Sequence, residues 1–170
     1  MISKCLSHEH QEARVLLERF RNFFQAHGIK QQPDWTSHEA RKIVSDLKCA
    51  LESNIPNHFA IEEQELFPIM DGAGYGELVE ILLEDHKVIL GLVGQVKCIV
   101  LKIHSSSAPL TQGDWEMLYR QGSALVTELM AHAAKEDAGL MPAIEEVLNE
   151  QEAEEIYKRY QVLKMGIICQ

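Results

Sequence analysis

His58-Phe59-Ala60-Ile61-Glu62-Glu63-Gln64-Glu65-Leu66-Phe67-Pro68 aligns without gaps on His132-Ala133-Ala134-Lys135-Glu136-Asp137-Ala138-Gly139-Leu140-Met141-Pro142. Both stretches carry a histidine, acids four and five residues on, a leucine at eight and a proline at ten. An acid–histidine pair precedes each one. His10 of Glu9-His10 lies 48 residues before His58, and His86 of Asp85-His86 lies 46 before His132. Five matches at fixed offsets mark a duplication, with a histidine on the first helix of each half and His-x-x-x-Glu on the second. Residues four apart stack on one helix face, so His58 stands beside Glu62 and His132 beside Glu136.

The rest of the chain reads as helices of period 3.6. Leu6, His10, Ala13, Leu17, Phe20 and Phe24 share a face in the first, which Gly28 ends. Thr36 or Ser37 can cap the second, which carries Ile43, Val44, Leu47, Leu51, Ile55, Ile61, Leu66 and Ile69 to a breaker at 71–74. Pro56 should kink or split it near Asn54, and Pro68 and Pro142 read as helix-ending or kinking devices. A third helix runs from about Glu77 to His104, with Leu90 on its apolar stripe beside Val79, Leu82, Ile89 and Val93. After a loop at 105–109, Asp114 reads as the cap of a fourth helix reaching Leu148, and Glu150 to Met165 as a short acidic fifth. No segment alternates like a strand. Long amphipathic helices joined by short loops predict one all-α domain over 1–170, an antiparallel four-helix bundle at 4–148 with a C-terminal helix at 150–165.

The histidines fall on the apolar faces. His10 and His8 are two residues apart and point to opposite sides, and only His10 has apolar company. His86 sits among Val79, Leu82, Leu83 and Ile89. His8, His27, His38 and His104 have no such setting and are expected on the surface, in loops or at helix ends. A carboxylate facing a bundle interior is costly unless paired or bound to metal. Four inward imidazoles with two inward carboxylates suit a pair of divalent transition-metal ions, and a carboxylate can bridge them.

The two His-x-x-x-Glu segments, each followed by Leu-(Phe/Met)-Pro and preceded by an acid–histidine pair, resemble the hemerythrin-like (HHE cation-binding) domain family over roughly His8 to Leu148. The resemblance implies an up-down-up-down bundle around a carboxylate-bridged, non-haem centre of two iron ions, with zinc or manganese as alternative occupants. Its implied ligands are His10, His58, Glu62, His86, His132 and Glu136, with Glu62 and Glu136 as bridges. The oxygen carriers of the family have a further histidine one turn after the third-helix one, where this chain has Leu90. One imidazole fewer implies an open position for water, oxygen or nitric oxide. The carriers place their fourth-helix acid where Asp137 stands. Register with the first repeat favours Glu136, with Asp137 as its competitor. Glu65 and Glu128 lie a turn away and are expected as supporting groups or spare ligands. The function implied is binding or sensing of oxygen, nitric oxide or iron. The alternative is a redox enzyme that reduces peroxide or nitric oxide, or repairs iron–sulfur clusters.

Composition fits this reading and excludes others. With 26 acidic against 16 basic residues the net charge is −10, which repels nucleic-acid phosphates and anionic lipid. No C-x-x-C pair is present, and Cys5, Cys49, Cys98 and Cys169 are expected as reduced thiols of a cytoplasmic chain. Residues 1–12 contain no apolar run that could form a signal-peptide core. Apolar stretches such as 88–93 are too short to cross a bilayer.

Overall fold

The computed structural model describes residues 2–105 and 110–165, so most of the loop expected at 105–109, and Cys169, lie outside them. Nearly all of these residues are helical, and no strand occurs among them. They form five helical rods: α1 (Ile2–His27); α2 (His38–Cys49), α3 (Ile55–Ile61) and α4 (Phe67–Gly72) in series; α5 (Gly76–Ser105); α6 (Gln112–Lys135) with α7 (Met141–Val147); and α8 (Glu150–Met165). The first four rods pack on one another, and α8 rests on α1 and α3.

The rod ends follow local chemistry. Gly28 adopts φ +66° after α1, a left-handed conformation that side chains disfavour, and its N–H donates to the Phe24 carbonyl at 2.9 Å. Ser37 caps α2 by accepting the Ala40 N–H at 3.1 Å. The cap of α6 is Thr111 rather than Asp114. Thr111 Oγ1 accepts the Asp114 N–H at 3.1 Å and donates to the Asp114 carboxylate at 2.7 Å, which places Asp114 inside the first turn. Asn149 and Glu152 form a similar reciprocal pair at the start of α8, at 3.0 Å each way.

The three mid-rod prolines do not end their helices. Each follows a five-residue π-helical turn by two positions: Ala50–Asn54 before Pro56, Glu62–Leu66 before Pro68, and Glu136–Leu140 before Pro142. A proline removes one i→i−4 hydrogen bond and crowds the carbonyl it would have used. Widening the turn resolves the clash, because Ile55, Phe67 and Met141 donate instead to the carbonyls five residues back, those of Ala50, Glu62 and Glu136. The expected split near Asn54 is therefore a π turn, and the rod runs on through it.

Two apolar clusters fill the interior. One holds Phe20, Phe24, Leu47, Leu51, Val96 and Trp115; the other holds Leu6, Ile61, Leu66, Leu82, Leu140 and Ile156. A fully buried side chain of this size contributes about 1.5–3 kcal/mol, which offsets the cost of burying polar groups. Four histidines and two glutamates, in two groups, form a belt between the clusters, while Ser3 lies away from it and donates to Glu145 at 3.0 Å. Ser3, His10, Glu62, His86, His132 and Glu136 are the buried polar residues among those described.

Two expectations need correction. An 18-residue window of α5 has a mean hydropathy of 1.6 with at most two charges, so this helix is long and apolar enough to span a bilayer, a test that core helices also pass. Its His86, Ile89, Val93 and Val96 are buried in the bundle. Cys5 and Cys98 are outside any disulfide, but Cys49 is disulfide-bonded, so the reduced-thiol expectation fails there.

Candidate metal centre

Each rod of the duplicated unit brings its polar residues to the belt at one level. His10 lies in the N-terminal half of α1, His58 in α3, His86 in α5 and His132 near the end of α6. Glu62 and Glu136 each open a π turn. The peptide from each Glu back to its histidine is still α-helical, since the Glu62 N–H donates to the His58 carbonyl and the Glu136 N–H to that of His132. Spacing within each His-x-x-x-Glu segment is thus preserved, and the chain widens only after the carboxylate is placed.

All four imidazoles point Nε2 inward, in two pairs. His10 and His58 approach to 3.3 Å, and His86 and His132 to 3.1 Å. The two glutamates lie between the pairs with their side chains fully buried. Glu62 sets Oε1 3.1 Å from His58 and Oε2 3.5 Å from His86. Glu136 sets Oε2 3.1 Å from His10 and Oε1 3.1 Å from His132. Two overlapping groups result, His10-His58-Glu62-Glu136 and Glu62-His86-His132-Glu136, each with its ligand atoms within 4.8 Å of one another. Both carboxylates belong to both groups, which is the arrangement of bridging ligands.

Each imidazole has an acid on its outer nitrogen. Nδ1 of His10 lies 2.8 Å from Asp137, that of His58 3.4 Å from Glu9, that of His86 2.7 Å from Glu63, and that of His132 3.3 Å from Asp85. An Nδ1–H donated outward leaves the Nε2 lone pair facing the centre, the tautomer a metal requires. The four Glu62 and Glu136 oxygens have no hydrogen-bond partner. In that tautomer acceptors face acceptors, and buried carboxylates without donors are costly. Cations between the pairs would satisfy every one of them, so the donor set of nitrogens and carboxylate oxygens fits a divalent transition metal.

The side chains of the centre carry matching electrostatics. Burial pulls His10 down, but the Glu136 and Asp137 carboxylates outweigh it and leave its pKa raised. Burial likewise opposes the charged form of His58 and His132. Glu62 and Glu136 beside the first, and Glu136 beside the second, raise both above the ordinary histidine value. Burial would push Glu136 up, yet the three neighbouring histidines hold it well below the usual carboxylate range. Positive charge is thus favoured at His10, His58 and His132.

The hemerythrin HHE cation binding domain model matches residues 1–144 and, in a second match, residues 78–165. The chain belongs to this family. No curated protein matches it. The family is one of metal-cation binding, and the two His/Glu groups of this hemerythrin-family chain are able to hold a metal.

The six inward residues read from the sequence all meet in this belt. Of the two competitors on the fourth rod, Glu136 enters both groups, while Asp137 sits behind His10 and also pairs with Arg14. The supporting acids were misassigned. Glu65 is drawn away by Arg159 at 2.8 Å, and Glu128 is exposed. The supporting groups are Glu9, Glu63, Asp85 and Asp137, and their signal was present: each repeat has an acid just before its first histidine and another just after its glutamate. Leu90 also departs from expectation. It is 41% exposed, so its side chain is turned largely to solvent rather than into the buried centre. His8, His38 and His104 are exposed, and His27 donates to its own helix at the Phe23 carbonyl, 2.9 Å away.

Proposed function

We propose that this hemerythrin-family chain is a non-haem di-iron protein in which Glu62 and Glu136 bridge two ions. His10 and His58 complete one site, and His86 and His132 the other. One observation carries the reading: two buried carboxylates whose four oxygens have no donor, each carboxylate shared between two histidine pairs. The duplicated helical hairpins favour the up-down-up-down order of the first four rods. When bound, the ions supply redox and ligand-binding chemistry. The chain's own residues hold them, orient each imidazole through its outer acid, and exclude water with apolar clusters on both sides.

The ligand we assign is small and weakly polar, with oxygen and nitric oxide as candidates. A cavity of about 280 Å³ reaches His10, His58, His132 and Glu136, and its wall includes Leu16, Leu17, Leu51, Leu125 and Leu129. His86 and Glu62 do not line it. Leucine side chains on one side and the histidines on the other leave room there for a small, weakly polar molecule. Anaerobic iron loading followed by metal analysis, then spectroscopy with oxygen and nitric oxide separately, tests both statements. Uptake of about two ions per chain with a reversible spectral change on ligand addition is expected. Uptake below one ion per chain would overturn the di-iron reading, and turnover instead of a reversible adduct would favour the redox enzyme.

A further inference from the structure

The fifth rod lies outside the duplicated unit, yet it reaches the first histidine pair. Tyr160 of α8 is buried and lines the cavity beside His58. Its hydroxyl donates to Glu9 Oε2, the oxygen that also accepts from His58 Nδ1 at 3.4 Å. In the other repeat Asp85 Oδ2 stands 3.3 Å from His132 Nδ1, and the Lys135 ammonium holds that carboxylate at 2.7 Å. Duplication placed an acid behind each second-helix histidine. One is held by a cation on its own hairpin, the other by a phenol from α8.

We propose that Tyr160 is a positioning residue of the metal centre. By holding Glu9, its hydroxyl fixes the His58 imidazole and so sets the metal affinity of the His10–His58 site. This rests on the di-metal reading above. A ligating imidazole depends on an anchored partner at its outer nitrogen, and loss of that partner typically weakens metal binding by about 10–100-fold. Glu9 is a flexible side chain, and a buried phenol in turn needs an acceptor. The two satisfy each other where His58 needs a fixed carboxylate. The placement of α8 does not depend on this hydroxyl. Its first turn is capped by Asn149 and Glu152, Ala153 and Ile156 pack in the cluster of Ile2 and Leu6, and Arg159 pairs with Glu65.

The test is anaerobic titration of the full chain with cobalt(II), whose visible absorption reports each bound ion, in wild type, Tyr160→Phe, Glu9→Gln and the double variant. Wild type should bind two ions. Tyr160→Phe should weaken one of them by about tenfold or more and leave the other unchanged, with the melting temperature of the metal-free chain preserved. Glu9→Gln should weaken the same ion, and the double variant should be no weaker than Glu9→Gln alone, because the phenol acts through Glu9. A Tyr160→Phe isotherm identical to wild type overturns the proposal. So does equal weakening of both ions, or effects of the two substitutions that multiply. Should Tyr160→Phe fail to fold, Glu9→Gln still decides, since it must weaken one ion selectively. Wild type binding fewer than two cobalt ions overturns the di-metal reading itself.

Discussion

The two histidine pairs are built from the same motif but sit in different surroundings. His58 is 15% exposed and, with His10, faces the leucine-walled cavity. His86 is 1% exposed and sealed by aromatic rings, with Phe59 stacked on it at 3.6 Å and 7° and Phe67 at 5.5 Å. Phe59 has Ala133 as its counterpart in the repeat, so the alignment matches ligands but not their covers. The repeat supplies a near-symmetric set of donors, and divergence around it leaves both members of the first pair on the cavity wall but only His132 of the second, with His86 closed off. Exogenous ligand is therefore expected at the His10–His58 site.

The strongest challenge to this comparison removes what the halves share. Glu62→Ala or Glu136→Ala should reduce metal content from about two ions to near none while helicity by circular dichroism is kept, because each carboxylate serves both pairs. Retention of one ion in either variant would show that carboxylate to belong to one half only. Next in size is the seal. Phe59→Ala deletes a buried ring against His86 and should destabilise the fold by about 3–5 kcal/mol, read by chemical denaturation. A loss below about 1 kcal/mol would mean that the closed half is not closed by Phe59.

The outer acids separate the halves more finely. Asp137→Asn should weaken the ion at His10, and Asp85→Asn the ion at His132, each by about 10–100-fold in a metal titration. If both variants affected the same ion, the assignment of acids to halves would be wrong. The smallest effect is expected at Leu90. Leu90→His should leave metal content and spectra unchanged and shift stability by no more than about 0.5 kcal/mol, since position 90 faces solvent. A new spectral band would require α5 to turn that face inward.

Much of the centre was legible because it depends on short-range geometry. Four-residue spacing on an α-helix places His58 with Glu62 and His132 with Glu136 whatever surrounds them, and the apolar company of His10 and His86 reports which way they face. Leu90 was misread for the same reason, since it satisfied the local period while the packed rod turned it outward. The π turns were not legible as such. Proline marks where a helix is disturbed, but kink, break and widened turn share that mark, and neighbouring rods decide between them. Glu65 was misplaced because a turn's spacing cannot anticipate Arg159, which arrives from another rod.

By itself the sequence determined the helical class, the duplication and the six inward donors, because periodicity and i,i+4 stacking are properties of a single helix. Only the tertiary structure decided that both carboxylates are shared between the pairs, that Asp137 stands behind His10, and that α8 brings Tyr160 to Glu9. Those are relations between rods, set by packing across the bundle.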